Sequence, residues 1–353
     1  MSLIPATILT GFLGAGKTTV LKRILHEAHG QKIAVIENEF GEENIDSDIL
    51  VSDTTEQIIQ MSNGCICCTI REDLRATLQS LAEKKRKGEL DFDRVVIETT
   101  GLADPGPVAQ TFFMDDEVAE SYLLDAILTL VDAKHAPEQL NDRQEARRQV
   151  GFADQLFISK SELVSAHDLE ELQHRLKHMN PRAPQHLVHF GEVAIKDFFD
   201  LRGFNLNAKL DIDPDFLTAD THDHGHEHHD HDHDHHGEHC DHPSHGHHGH
   251  HHHVDDDVKS FVFKSDRAFD PAKLEDFLGA IVNIYGPRML RYKGVLYMKG
   301  SERKVIFQGV HQLMGSDLGP AWAPDEVKNS KLVFIGIDLP KDILLQGLEQ
   351  SLV

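Results

Sequence analysis

One glycine-rich segment near the start of the chain constrains its fold more than any other feature. It reads Gly11-Phe12-Leu13-Gly14-Ala15-Gly16-Lys17-Thr18, between an apolar run at 4–9 that predicts a strand and a run at 20–25 that predicts a helix. This is the pattern and the setting of a phosphate-binding P-loop, whose N–H groups and helix N-terminus face phosphate oxygens. Lys17 is expected to reach the outer phosphates, and the Thr18 hydroxyl to bind Mg²⁺. The predicted nucleotide-binding residues are Gly11, Gly14, Ala15, Gly16, Lys17, Thr18 and Thr19.

Strands and helices alternate along the first part of the chain. Predicted strands span residues 32–37, 94–99, 126–132, 155–159 and 186–190, and predicted helices span 72–86, 138–150 and 168–179. Such alternation is typical of a parallel sheet covered by helices on both faces. The C-terminal part instead predicts strands at 259–264, 290–299, 305–312 and 332–337 with helices at 271–284 and 341–352. The predicted fold is α/β: a P-loop NTPase domain with a mostly parallel sheet, plus a smaller C-terminal α+β domain whose sheet is antiparallel or mixed.

Composition excludes several classes of partner. The 353 residues carry a formal net charge of −24, which disfavours nucleic acid and anionic membranes, because both require a basic surface. No apolar run approaches the roughly 18 to 20 residues that span a bilayer, and no signal-type segment precedes the first strand. We therefore expect a cytoplasmic protein. In that compartment, the four cysteines indicate metal or redox chemistry rather than disulfides.

A histidine-rich tract at residues 222–253 interrupts the globular pattern. It holds 18 of the 27 histidines, including His222, His224, His226, His228 and His229. Apart from Cys240 the tract has nothing apolar to bury, so it is predicted to be disordered. Since neutral imidazole is a common metal ligand, it is expected to bind several Zn²⁺, Ni²⁺, Co²⁺ or Cu²⁺ ions with little selectivity. A polar linker without chemical consequence is the alternative.

Two further segments suit a nucleotide-hydrolysing site. A buried strand ends at Glu98, which can hold Mg²⁺ directly or through water, and the Gly101 N–H can sense the terminal phosphate. Ser159-Lys160-Ser161-Glu162 occupies the place where GTPases carry Asn-Lys-x-Asp, so Ser159, Lys160 and Glu162 are predicted to bind the base. Because Ser replaces Asn and Glu replaces Asp, guanine preference is supported but not assured.

A cysteine cluster predicts a tight metal site. Cys65, Cys67 and Cys68 place three thiols in four residues, just before the helix predicted at 72–86. Two or three thiolates with a carboxylate or imidazole can complete a tetrahedral zinc or cobalt site. Buried inert cysteines and a redox pair are the alternatives, although Cys-x-Cys-Cys is less typical of a redox pair than Cys-x-x-Cys.

Together these motifs resemble the CobW family of metal-handling GTPases. The resemblance rests on the P-loop, Glu37-Asn38-Glu39-Phe40-Gly41-Glu42, the cysteine motif after Gly64, Glu98-Thr99-Thr100-Gly101 with Ala103-Asp104-Pro105, and Arg291-Tyr292-Lys293-Gly294. It implies that the segment after the second strand is switch I, with Glu37 and Glu42 as candidate ligands of the metal or partners of Mg²⁺. It further implies a metallochaperone or metal insertase that couples GTP binding to metal binding, with GTP, Mg²⁺ and Zn²⁺ as cofactors, Co²⁺ as a second metal, and a client metalloprotein as partner.

The resemblance also divides the chain. We expect a P-loop GTPase domain at residues 1–204, a linker with the histidine-rich insert at 205–257, and a CobW C-terminal-like α+β domain at 258–353.

Three hypotheses for the function compete: a GTP-dependent zinc chaperone, a zinc buffer with a regulatory nucleotide site, and a small-molecule kinase. No segment looks like the substrate lid or acceptor site of a kinase, so the kinase ranks last; the chaperone is the first hypothesis and the zinc buffer its alternative. The client and any homo-oligomer remain open.

Overall fold

The computed structural model describes residues 3–27, 30–38, 57–61, 69–201, 203–204 and 256–353. The first of its two sheets has seven parallel strands, and the order along the sheet is β3-β2-β4-β1-β5-β6-β7. These strands are β1 (Ile4–Gly11), β2 (Ile33–Asn38), β3 (Gln57–Met61), β4 (Arg94–Glu98), β5 (Tyr122–Asp132), β6 (Gln155–Ser159) and β7 (Gln185–Val188). The predicted α/β class with a parallel sheet is confirmed.

Helices connect these strands. They are α1 (Lys17–His26), α2 (Thr69–Arg86), α3 (Pro105–Met114), α4 (Asp116–Ser121), α5 (Ala136–Asp142), α6 (Gln144–Phe152), α7 (Ala166–Met179) and α8 (Ile195–Phe198), with a 3₁₀ turn at Ser161–Leu163. The central strands β1, β4 and β5 are buried along nearly their whole length, as expected for a sheet covered on both faces. Their carboxyl ends form the edge at which nucleotides bind in open α/β sheets.

The C-terminal part forms a second, wholly antiparallel sheet of five strands, in the order β11-β10-β9-β12-β8. Its elements are β8 (Val258–Ser265), α9 (Pro271–Tyr285), a 3₁₀ turn (Gly286–Arg288), β9 (Met289–Leu296), β10 (Arg303–Val310), β11 (Leu313–Ala321), β12 (Ser330–Ile337) and α10 (Lys341–Gln350). The two helices and one face of the sheet enclose an aromatic core that includes Phe269, Tyr292 and Phe334. The predicted α+β domain is confirmed.

Most predicted elements agree with the structure, and their ends differ by at most four residues. The single helix predicted at 138–150 is wrong, because the chain is extended at Arg143 and forms α5 and α6 instead. The Arg147 guanidinium donates to the carbonyls of Leu140 (2.7 Å) and Asn141 (2.9 Å), and so satisfies the last turn of α5 where the chain bends. Tertiary contacts thus end a helix that the sequence alone would continue.

The sequence predicted no strand at β3 or β11, and it gave no bounds for the helices α3, α4 and α8. β11 carries Gly315, Gly319 and Pro320, which are poor strand formers, and it lies at an edge of its sheet where such residues are tolerated. No helix among the residues that the structure describes is long and apolar enough to cross a bilayer.

Candidate nucleotide and metal site

The P-loop adopts a conformation that requires its glycines. After β1, Gly11, Gly14 and Gly16 have φ angles of 141°, 74° and 98°, in the region that side chains rarely adopt. A Cβ at Gly11 would also overlap the carbonyl oxygen of Leu130 on the neighbouring strand β5. The glycines therefore let the loop curl against the sheet and turn into α1, which begins at Lys17.

Lys17 and Thr18, the first residues of α1, are held by the loop and by β4. The Lys17 ammonium is buried and donates to the carbonyls of Gly11 (2.8 Å) and Phe12 (3.3 Å). Burial lowers the pKa of Lys17, and the charge of Glu98 acts in the opposite direction. The Thr18 hydroxyl donates to Glu98 Oε1 at 2.8 Å. A hydroxyl beside a carboxylate supplies the oxygen ligands that Mg²⁺ prefers, so this pair fits the predicted magnesium role.

A second carboxylate lies beside Glu98. Glu37 on β2 and Glu98 on β4 are partners in the parallel register, and each is only 8% exposed. Leu9, two residues before the P-loop begins, pairs with Glu98 on its other side. The structure therefore brings the predicted metal ligand Glu37 next to the predicted magnesium partner Glu98.

The remaining predicted metal ligands lie outside the described residues. They are Glu42, Cys65, Cys67, Cys68 and the histidine-rich tract with His222, His224, His226, His228 and His229. The ends of the cysteine segment are nevertheless fixed, because β3 ends at Met61 and α2 begins at Thr69. Met61 pairs with Asn38, the residue after Glu37. Four residues separate Cys65 from Met61, a span of at most about 14 Å, so chain length permits a thiolate to reach Glu37.

The loop after β4 packs on the P-loop and is held by α6. A Cβ added at Gly101 would lie 2.6 Å from the Leu13 amide nitrogen, so the two loops are in backbone contact. The Gln149 side chain of α6 donates to the carbonyls of Gly101 (3.1 Å) and Ala103 (3.0 Å). Asp104 caps α3 through the Gly106 N–H and pairs with Arg148 of α6 at 2.6 Å. Movement of this loop would therefore be transmitted to α6.

Ser159 and Lys160 contact the P-loop. The Ser159 hydroxyl donates to the Ala15 carbonyl at 2.7 Å, and the Lys160 ammonium donates to the Gly14 carbonyl at 2.8 Å. Lys160 also pairs with the buried Asp132 at 2.6 Å and has a φ of 57°. Burial acts to raise the pKa of Asp132, but hydrogen bonds from Lys160 and His135 outweigh it and hold the pKa below its usual value. The replacement of Asn by Ser thus preserves a link to the P-loop.

Glu162 lies on the 3₁₀ turn after Lys160 and faces the loop that follows β7. Its carboxylate pairs with His189 at 3.5 Å. The next residue, Phe190, is 82% exposed with a φ of 49°, and Gly191 packs closely against Thr19 of α1. An exposed aromatic ring on strained backbone, next in sequence to the partner of Glu162, is typical of a ligand-binding loop.

Sequence reasoning missed three residues of this site: Asp132, Gln149 and His189. Asp132 ends the buried strand predicted at 126–132, so an acidic residue at a carboxyl strand end was the available signal. Gln149 and His189 carry no local pattern, because their partners Gly101 and Glu162 lie 48 and 27 positions away.

Comparison with known proteins decides the family. Residues 5–186 match the family model described as "CobW/HypB/UreG, nucleotide-binding domain". The chain belongs to the CobW/HypB/UreG family. Residues 258–352 of this CobW-type chain match the model of the cobalamin synthesis protein cobW C-terminal domain. The predicted family and enzyme class are confirmed: the chain is a P-loop GTPase.

Several relatives match along nearly their whole length. The zinc chaperone YjiA of Escherichia coli is 39% identical over 344 residues, covering 97% of this chain and 96% of YjiA. The zinc chaperone CobW of Pseudomonas aeruginosa is 31% identical and covers 99% of this chain and 92% of that protein. The crystal structure of Zn(II)-bound YjiA GTPase from E. coli superposes with a TM-score of 0.73 at 33% identity, with 99% of both chains covered.

Proposed function

We propose that this GTPase is a zinc metallochaperone that couples GTP hydrolysis to transfer of zinc into a client metalloprotein. Zinc is held by Cys65, Cys67 and Cys68, with Glu37 or Glu42 completing the shell, and Co²⁺ suits the same ligands. Two relatives that cover almost the whole chain are named zinc chaperones, which supports zinc as the cargo.

The nucleotide is bound by the P-loop and processed at the edge formed by β1 and β4. Backbone N–H groups of Gly14 to Lys17 take the phosphates, and Lys17 turns from the Gly11 carbonyl toward the outer phosphates when they arrive. Thr18 and Glu98 would hold Mg²⁺, which would supply positive charge against the phosphates. The Gly101 N–H contacts the terminal phosphate, so its loop changes position when that phosphate leaves.

Guanine is recognised by Lys160 and Glu162. Lys160 is fixed by the Gly14 carbonyl and Asp132, and Glu162 pairs with His189, the residue before the exposed Phe190. The Glu162 carboxylate accepts from the guanine N1 and N2 donors after leaving His189. Because Glu is one methylene longer than Asp, the preference for guanine over adenine is weaker than with Asp at this position.

The register pairing of Glu37 with Glu98 is the observation that carries this proposal. Glu98 accepts a hydrogen bond from the Thr18 hydroxyl, so a change at the magnesium site is transmitted to Glu37 on the adjacent strand. A zinc ion shared by Glu37 and Cys67 is then sensitive to the nucleotide. Hydrolysis loosens the switch segment and weakens the zinc shell, which releases the ion to the client.

Coupling is tested by reciprocal titration of the full chain. The affinity for Co²⁺, read by thiolate-to-cobalt charge-transfer absorption, is measured with GDP and with a non-hydrolysable GTP analogue, and GTP turnover is measured with and without zinc. We expect the two nucleotides to give affinities that differ about 5-fold or more, and zinc to change turnover, because coupling free energies are reciprocal. Equal affinities with both nucleotides would instead identify a zinc buffer.

Matched variants locate the tight site. Cys67→Ser should abolish the charge-transfer band and the effect of zinc on turnover, whereas Cys240→Ser in the histidine-rich tract should leave both unchanged.

ATP serves as the control nucleotide, and turnover of ATP equal to that of GTP would overturn the assignment of guanine to Lys160 and Glu162. Capture of proteins by the zinc-loaded chain bound to the GTP analogue, compared with capture by Cys67→Ser, tests for a client.

A further inference from the structure

Two histidines on α7 lie outside the nucleotide site and the cysteine segment. His174 and His178 are one helical turn apart, and their ring centroids are 4.5 Å apart with an interplanar angle of 67°. Both side chains are exposed to solvent. Two histidines at positions i and i+4 on one helix face are a recurrent arrangement for binding a divalent metal ion.

The helix that carries the pair is rigidly fixed. Leu172, Leu176 and Met179 are buried, and the Asn180 side chain after α7 donates to the carbonyls of Val150 (2.8 Å) and Ala153 (2.9 Å). The Ser260 hydroxyl of β8 donates to the His178 carbonyl at 2.8 Å. The backbone that carries the two rings is therefore held in place, so only the side chains need to be ordered when a metal binds.

The same stretch of α7 anchors the chain just after the histidine-rich tract. Arg175 makes a bidentate pair with Asp256, with Nε to Oδ2 at 2.9 Å and Nη2 to Oδ1 at 2.6 Å. Asp256 follows His253, the last histidine of the tract, by three residues, which span at most about 11 Å.

We propose that His174 and His178 form a separate surface site for a borderline divalent cation such as Zn²⁺ or Cu²⁺. Water completes the coordination shell, since the residues that the structure describes contain no group of three or more His, Cys, Asp or Glu side chains placed to hold a metal. Two ligands give weaker binding than a thiolate site, so the ion is expected to exchange readily. This site requires neither GTP nor the cysteines, and it stands apart from the proposed chaperone cycle.

Metal-catalysed oxidation of the full-length protein tests the site. Cu²⁺ with ascorbate oxidises histidines that bind the copper ion, and peptide mass spectrometry locates them. His174 and His178 should be oxidised, and prior addition of Zn²⁺, which is redox-inert, should protect them. His167 is the matched control, because it is exposed on the same helix and lies beside Glu171 at 3.5 Å rather than beside a second histidine. Oxidation of the pair no faster than that of His167, or no protection by zinc, overturns the proposal.

A variant tests whether the two rings act together. His174→Gln keeps a good helix former at an exposed position, so the fold should persist, as circular dichroism can verify. Oxidation of His178 should then fall about tenfold or more, because the second ligand no longer holds the ion at high local concentration. Unchanged oxidation of His178 in this variant would show that the rings do not chelate one ion.

Discussion

At the scale of single residues, Lys17, which we propose binds the outer phosphates, has neutral hydrogen-bond partners in the absence of nucleotide. Its ammonium is buried against two loop carbonyls, and burial lowers its pKa. An incoming phosphate would replace these neutral acceptors with charged ones and restore the preference for the ammonium form. The residue is therefore placed to respond to nucleotide rather than to stabilise the fold.

Replacing Lys17 by Ala should lower GTP turnover by about 100-fold or more, because the outer phosphates lose their main cationic partner. Turnover of the purified variant under saturating GTP and Mg²⁺ measures the effect. Lys177→Ala, which removes an exposed lysine from α7, is the control and should match the unmodified protein. Turnover of the Lys17 variant within a factor of two of the control would show that another group serves the outer phosphates.

At the scale of elements, the loop between β4 and α3 connects the P-loop to α6. Gly101 touches the P-loop backbone, and Gln149 of α6 holds the carbonyls of Gly101 and Ala103. α6 in turn packs closely on the C-terminal sheet, since a Cβ at Gly151 would lie 2.6 Å from the Leu290 side chain. A displacement of the P-loop thus has a continuous packed route to the second sheet.

Gly101→Ala should impair both stability and hydrolysis. The new Cβ would lie 2.6 Å from the Leu13 nitrogen and 2.8 Å from its Cα, and backbone atoms cannot move aside as a flexible side chain can. We expect a loss of about 1 to 3 kcal/mol in the free energy of unfolding, from urea titration, together with slower GTP turnover.

Gly279→Ala in α9 is the matched control for that substitution. Nothing lies within 4 Å of the Cβ it would add, and Gly279 is in a helix interior. It should raise stability by up to about 1 kcal/mol and leave turnover unchanged. Similar behaviour of the two variants would contradict the packing argument.

At the scale of the whole molecule, a buried charge cluster joins the two sheets. Arg291 of β9 is fully buried, pairs with Asp154 at 2.9 Å and lies over the Phe204 ring at 3.4 Å. Burial lowers the pKa of Arg182 to about 10, with Arg291 adding to the effect. Burial likewise lowers the pKa of Lys293 to about 7, with Arg182 and Arg291 contributing in the same direction. One carboxylate thus faces three cationic groups in this cluster.

Lys293 should make stability depend on pH. Its pKa is 10.5 in the unfolded chain and about 7 in the folded protein, so the unfolded state binds more protons between these values. The free energy of unfolding should therefore rise as pH increases from about 7 toward 10. In Lys293→Met this rise should be reduced, and the variant should be more stable at pH 7, because no buried ammonium remains to be desolvated.

Urea unfolding between pH 6.5 and 9.5 measures that slope. Lys177→Met is the control, since Lys177 is exposed and its replacement should leave the slope unchanged. The same pH slope in Lys293→Met and in the unmodified protein would show that Lys293 is not buried as an ionisable group in the cluster.

The sequence by itself determined the P-loop, the parallel sheet and the position of Glu98, because each depends on a local signal: glycine spacing, short apolar runs, or an acid at a strand end. It also determined the family, through motifs that the chain carries intact. It did not predict the break at Arg143 or the edge strand β11, where tertiary contacts override local propensity.

Only the tertiary structure decided which residues meet. Three sets of contacts join positions that are far apart in the chain. They are the pairing of Glu37 with Glu98, the hydrogen bond from Gln149 to the Gly101 carbonyl, and the cluster around Arg291. No local pattern encodes such contacts, since they depend on strand order and on how helices pack on the sheets. Function therefore rests on two kinds of information: chemical groups that sequence motifs reveal, and their coupling, which arises only when the folded sheets bring those groups together.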